Sequence, residues 1–158
     1  MMTRFGILVS MIACLGILAG PAVAEVVEDD VIGLVELTAA KMAEDAPATI
    51  AAIVAAEHPF KNKDDGARYV FVYDTEVTMV AHPKAVLVGK SYKGKPDVKG
   101  KKFRDEIVAG AVADGSGWVD YSYTKPGDKG IHAKKTYYKL CEGSDGKTYV
   151  ICSGMYAK

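Results

Sequence analysis

Apolar residues recur at helical spacing through Val27, Val31, Leu34, Val35, Thr38 and Met42, and three acids, Glu28, Asp29 and Asp30, open that run. Acidic side chains favour the first turn of a helix, where unpaired backbone N–H groups carry partial positive charge, so the pattern predicts an amphipathic helix from 26 to about 46. Pro47 suits the first turn of a second helix, because the N–H it lacks would have no partner there. Ile50, Ile53 and Val54 give that helix an apolar stripe ending near His58-Pro59. After a polar turn over 61–66 the pattern changes to strands. Tyr69-Val70-Phe71-Val72-Tyr73 and Val77-Thr78-Met79-Val80-Ala81, separated by Asp74-Thr75-Glu76, predict a hairpin.

Residues 89–102 are rich in lysine and glycine and read as a long loop. Helical spacing returns at 103–113 through Phe103, Ile107, Val108 and Ala111, and Gly115-Ser116-Gly117 ends it. Three more strands come after it at 118–123, 131–140 and 149–156, joined by Pro126-Gly127-Asp128 and Ser144-Asp145-Gly146. Five strands in two hairpin-linked groups, with helices before and between them, predict an α+β fold: an antiparallel sheet covered by helices on one face.

The first 24 residues read differently from the rest. A short basic segment ends at Arg4, an apolar run covers 5–19, and the small-residue site Ala22-Val23-Ala24 comes next, which together predict a cleaved export signal over 1–24 and one domain over 25–158. The apolar run is shorter than the roughly 20 residues a membrane span needs, and Gly20-Pro21 interrupts it. The expected location is therefore periplasmic or secreted, with no membrane span in the mature chain. Acidic and basic residues balance at 20 each, which gives no reason to expect nucleic acid as a partner. Within that balance, 25–65 carry 10 acids and 3 bases, so the C-terminal part is mildly cationic and leans toward anionic small ligands.

Cys141 and Cys152 flank the last turn, and an oxidising compartment favours a disulfide between them, with two buried thiols as the alternative. The histidines His58, His82 and His132 are too scattered for a zinc motif, and Asp97-Val98-Lys99-Gly100 lacks the alternating oxygen ligands of a calcium loop. No metal or cofactor is expected. Nor does a nucleophile–base motif present itself, so the chain does not read as an enzyme.

Several short motifs occur in a telling order: the strand 69–73, then Val80-Ala81-His82-Pro83, Leu87-Val88-Gly89-Lys90, Asp97-Val98-Lys99-Gly100-Lys101, Gly117-Trp118-Val119-Asp120-Tyr121, Lys134-Lys135-Thr136-Tyr137 and Ser153-Gly154-Met155-Tyr156. Over about 26–156 the chain resembles single Cache domains of the second type. The resemblance implies an extracytoplasmic PAS-like fold, with a long N-terminal helix behind an antiparallel sheet and a small-molecule pocket on the sheet's other face. It further implies recognition of a metabolite, often an organic acid. Such domains usually sit between two membrane helices of a receptor. Here the sequence stops at Lys158 directly after the last strand, which suggests a free-standing binding protein.

A carboxylate pocket needs a cation or several donors in a concave apolar setting. Lys134 matches the family's strand lysine and is the candidate for the ligand's charge, while Lys135 points to the opposite face of a regular strand. His82, Trp118, Tyr121, Tyr69 and Tyr137 complete the candidate set. Strand alternation puts Trp118 and Tyr121 on opposite faces, so both line one pocket only if the strand is bulged. The competing reading is an interaction module whose N-terminal helix forms a homodimer or docks on a membrane sensor.

Overall fold

The computed structural model describes residues 28–63 and 66–157. The expected export signal over 1–24 lies outside the described residues, as do Val26 and Val27. Helix α1 (Glu28–Val54) comes first, then strands β1 (Val70–Asp74) and β2 (Met79–Ala81), helix α2 (Phe103–Asp114), and strands β3 (Ser116–Thr124), β4 (Ile131–Glu142) and β5 (Thr148–Tyr156). The strands form one antiparallel sheet in the order β2-β1-β5-β4-β3. The fold is α+β, with the PAS-like sheet that the resemblance implies.

The expected break between two N-terminal helices is present inside α1, where Asp45 leaves helical geometry at φ −152°, ψ 90°. Pro47 has no N–H to donate, and Asp45 caps the second helical segment: its carboxylate accepts the Ala48 N–H at 3.0 Å. The β4–β5 turn secures the break, since Ser144 accepts the Ala46 N–H at 2.9 Å through its hydroxyl and donates its own N–H to the Met42 carbonyl at 2.9 Å. Helix α1 stops at Val54, short of His58-Pro59, because Ala56 takes the left-handed conformation at φ 57°. Strand β2 likewise starts two residues later than expected. Val77 sits at φ 63°, and the Asp74 carboxylate folds the turn by accepting the N–H groups of Glu76 and Thr78.

The helices cover both faces of the sheet, which corrects the expectation of one covered face. Val35, Ala39, Met42 and Ile53 of α1 pack on Val70, Val72 and Ile151. Phe103, Ile107, Val108 and Ala111 of α2 pack on the other face, with Phe71, Tyr73, Val119, Tyr121 and Cys152. Period-two alternation makes this arrangement available, because β1 is buried on both sides: Val70 and Val72 face α1 while Phe71 and Tyr73 face away.

The expected Cys141–Cys152 disulfide is also corrected: both thiols are free. In the β4–β5 ladder Cys141 opposes Tyr149 and Cys152 opposes Tyr138. The cysteines are thus three ladder steps out of register, about 10 Å along the strands at ~3.4 Å per residue, beyond the reach of a disulfide. They also lie on opposite faces, Cys141 toward α1 and Cys152 toward α2.

Candidate functional site

Between the sheet and the N-terminal end of α2 lies a small cavity lined by side chains from β1, β2, β3, β4 and α2. Its floor is Tyr69, Phe71 and Lys134; its walls are His82, Tyr121, Tyr123, Phe103 and Arg104. The free space is about 10 Å³, room for about one water.

Two cationic side chains are buried here. Lys134 is 2% exposed and Arg104 8% exposed, and neither has an acidic partner among the described residues. Lys134 Nζ donates to the Tyr69 hydroxyl at 3.0 Å and lies 4.5 to 5.6 Å from the ring centroids of Tyr69, Phe71, Tyr123 and Tyr156. Ring faces offset part of the cost of a buried cation, about 0.5 to 2 kcal/mol each. They do not replace a counter-ion. Burial, and secondarily Lys84, hold the ammonium down to about 7.

Arg104 stacks over Phe103 at 4.2 Å and Tyr92 at 4.7 Å. One of its terminal nitrogens reaches the Lys95 carbonyl at 3.4 Å, and its Nε is buried without a hydrogen-bond partner. An unsatisfied buried guanidinium donor costs free energy that an anion in the cavity would recover.

His82 supplies a donor of fixed polarity. Its Nδ1 accepts the Lys84 N–H at 2.8 Å, which leaves the proton of the neutral ring on Nε2. The ring is neutral because burial, then Lys134, Lys84 and Lys61, push its pKa down to about 4. Tyr121 stacks face to face on Phe103 at 3.7 Å, and its hydroxyl pairs with Thr136 Oγ1 at 2.9 Å. Burial holds the Tyr69 and Tyr121 phenols protonated. The cavity is therefore lined with donors and two cations, a chemistry suited to an anion.

A roomier open groove of about 670 Å³ lies elsewhere, lined by Leu34, His58, Pro59, Asn62, Lys63 and Arg68. Arg68 there is already paired with Asp30 at 3.4 Å, so the unmet charge points to the tighter cavity.

Comparison with known proteins places this geometry. A family profile for the Cache domain matches residues 39–158. The chain belongs to the Cache-domain family. Among solved structures it is similar to a periplasmic sensor domain of a chemotaxis protein, 32% identical over 80% of this chain and 88% of that one, with a TM-score of 0.61. A Cache chemosensory domain described for carboxylic acid recognition is 21% identical, with 82% of this chain and 92% of that one covered and a TM-score of 0.64. A methyl-accepting chemotaxis protein from Vibrio parahaemolyticus is 16% identical, with 81% and 86% covered and a TM-score of 0.63. The last two likenesses show the fold alone. Sensing is the role of this family, and its periplasmic sensor domains lie outside the cytoplasm.

In this Cache domain four of the six expected site residues converge, Lys134, His82, Tyr121 and Tyr69. Trp118 and Tyr137 do not join them. They oppose each other across β3 and β4 on the α1 face, with ring centroids 5.2 Å apart, and Lys135 Nζ lies 4.7 Å over Trp118. Strand β3 is regular, so alternation sends Trp118 and Tyr121 to opposite faces. Arg104 is not among the expected residues; it follows directly on the lysine-rich stretch, where one more cation draws no notice. The signal for it is spacing: Arg104 falls on the stripe of Ile107, Val108 and Ala111, whose other members are all buried.

Proposed function

We propose that this Cache domain is an extracytoplasmic sensor module that binds a small carboxylate between Lys134 and Arg104, without turning it over. The observation that carries the reading is the pair of buried cations sharing one cavity with no acid among the described residues. A carboxylate between them would relieve both the uncompensated ammonium and the orphan Arg104 Nε, while His82 Nε2–H and the Tyr69 hydroxyl orient it. Lys84, Lys90, Lys93, Lys95, Lys99, Lys101 and Lys102 crowd the loop between β2 and α2, and their field draws anions toward this end of the molecule. The carboxylic acid recognised by the structural relative is consistent with this chemistry.

The cavity holds about one water, so binding requires side chains to yield. Arg104, which rests on the Tyr92 ring, is the lining side chain to move, since its contact to Lys95 is long. Acetate, propionate and other short acids are the probes for a thermal-shift screen. A ligand at about 100 times its Kd raises stability by about 2.7 kcal/mol, readily visible as a rise in Tm. Lys134→Met and Arg104→Met should each abolish that rise. No shift from any short acid at millimolar concentration would overturn the reading in favour of an interaction module.

A further inference from the structure

We propose that Lys134 captures small 2-oxo acids covalently, as a reversible imine with the ligand's carbonyl carbon. The inference rests on the carboxylate reading above and extends it to a ligand class. Three features carry it. First, Lys134 Nζ is enclosed by the rings of Tyr69, Phe71, Tyr123 and Tyr156, and among the described residues its side-chain hydrogen bond is to a phenol rather than to a carboxylate that would hold it charged. An amine so placed is the kind that attacks carbonyls, because desolvation favours its neutral, nucleophilic form. Second, the same cavity contains a second cation, Arg104, with an unpaired buried Nε. A 2-oxo acid has two groups to satisfy, and the two cationic side chains divide them: guanidinium for the carboxylate, amine for the adjacent carbonyl.

Third, the cavity has neutral proton carriers on that amine's side. The Tyr69 hydroxyl touches Nζ at 3.0 Å, and the His82 ring lies 5.1 Å from the Tyr69 ring with its Nε2 protonated. The step balances without any further reagent. The neutral amine adds to the carbonyl carbon, and the former carbonyl oxygen takes up a proton to give a carbinolamine. Loss of that oxygen as water, with both protons drawn from the original amine, leaves the C=N bond. Hydrolysis returns ligand and lysine unchanged, so the event is reversible capture rather than turnover. The groups facing Nζ are Tyr69, Phe71, Tyr123 and Tyr156, with Lys84 acting through charge; burial holds the Cys152 thiol protonated and therefore neutral.

The test is to incubate the purified protein with pyruvate and sodium cyanoborohydride, which reduces imines to stable secondary amines, and to map adducts by mass spectrometry. The expected product is one adduct per chain, heavier by pyruvic acid less one oxygen atom, on Lys134. It should form roughly tenfold or more faster than on any exposed lysine, whose amine is protonated at neutral pH. Excess propionate, which has the carboxylate but no carbonyl, should suppress it, and Lys134→Met should remove it while leaving the circular dichroism spectrum unchanged. Calorimetric binding of propionate and pyruvate without an adduct on Lys134 would overturn the covalent step and leave the carboxylate reading standing. Absence of binding by either acid would overturn both. Adducts spread evenly over exposed lysines, with Lys134 unmodified, would likewise overturn it.

Discussion

The cost of Lys134 should be measurable as a dependence of stability on pH. Its pKa is about 7 in the folded chain against 10.5 for a free lysine, so between those values the unfolded chain binds more protons than the folded one. Stability then rises with pH. His82, lowered to about 4 from 6.5, acts in the same direction in a lower window: stability falls as pH drops from 6.5 toward 4. Chemical denaturation of the ligand-free domain should therefore show it gaining stability from about pH 7 to about pH 8, below the range where the buried thiols of Cys141 and Cys152, and then the buried tyrosines, begin to oppose the trend. Saturation with a carboxylate should flatten that slope, because the paired ammonium keeps its proton. The variant Lys134→Met should flatten it too, and should stabilise the ligand-free domain by about 1 to 3 kcal/mol, since a hydrophobic isostere replaces an unpaired buried charge. A ligand-free variant less stable than wild type would show that the ammonium is compensated by the fold itself.

At the scale of elements, the sheet is the most legible part of the sequence, because alternation and turn residues report strands directly. Strands β3, β4 and β5 extend the expected segments by only a residue or two at their ends. Two things are not legible. The number of residues in a hairpin does not give its register, which is why a plausible cysteine pair falls three steps apart on opposite faces. The face that each helix covers depends on how the chain crosses the sheet, and the composition of α2 does not reveal this. Lys134, His82, Tyr121 and Tyr69 are reached through motif matching, whereas Arg104 requires giving helical spacing more weight than its charged neighbours. Backbone proximity also places a constraint that can be tested. A Cβ on Gly154 would lie 2.5 Å from Thr136 Oγ1, 2.7 Å from the Lys135 carbonyl and 2.9 Å from Lys134 Cε. Backbone cannot yield as a flexible side chain does, so Gly154→Ala should destabilise by about 1 to 3 kcal/mol. It should also weaken carboxylate binding by displacing the Lys134 stem, as titration calorimetry of the variant would reveal.

The whole molecule divides its tasks between two faces. On one, α1 and the sheet bury an apolar layer, and the exposed edge of that layer is tied by Lys135–Glu28 and Lys139–Glu36 ion pairs. On the other, α2 and the loop before it close over aromatic and cationic side chains. The loop is held rather than loose: the Asp97 carboxylate accepts the N–H groups of Lys99, Lys101 and Ser122, and Asp105 accepts that of Gly94. Asp97→Ala should therefore raise hydrogen exchange across 94–101. Because Cys141 and Cys152 are not bonded to each other, reducing agent should leave the melting temperature unchanged. A drop on reduction would mean that the thiols pair.

If a carboxylate completes the charge of Lys134, its binding must take up protons wherever the free side chain has lost them. Calorimetric titration of propionate into the wild-type domain, in buffers of differing ionisation enthalpy, gives the number of protons taken up on binding. With the ammonium at about 7 before binding and held charged after it, close to one proton should be taken up at about pH 8.5 and almost none at about pH 6. Affinity should fall about tenfold per pH unit above 7, and Lys134→Met should not bind. Propionate binding with the same small uptake at both pH values, or binding that persists in Lys134→Met, would contradict it.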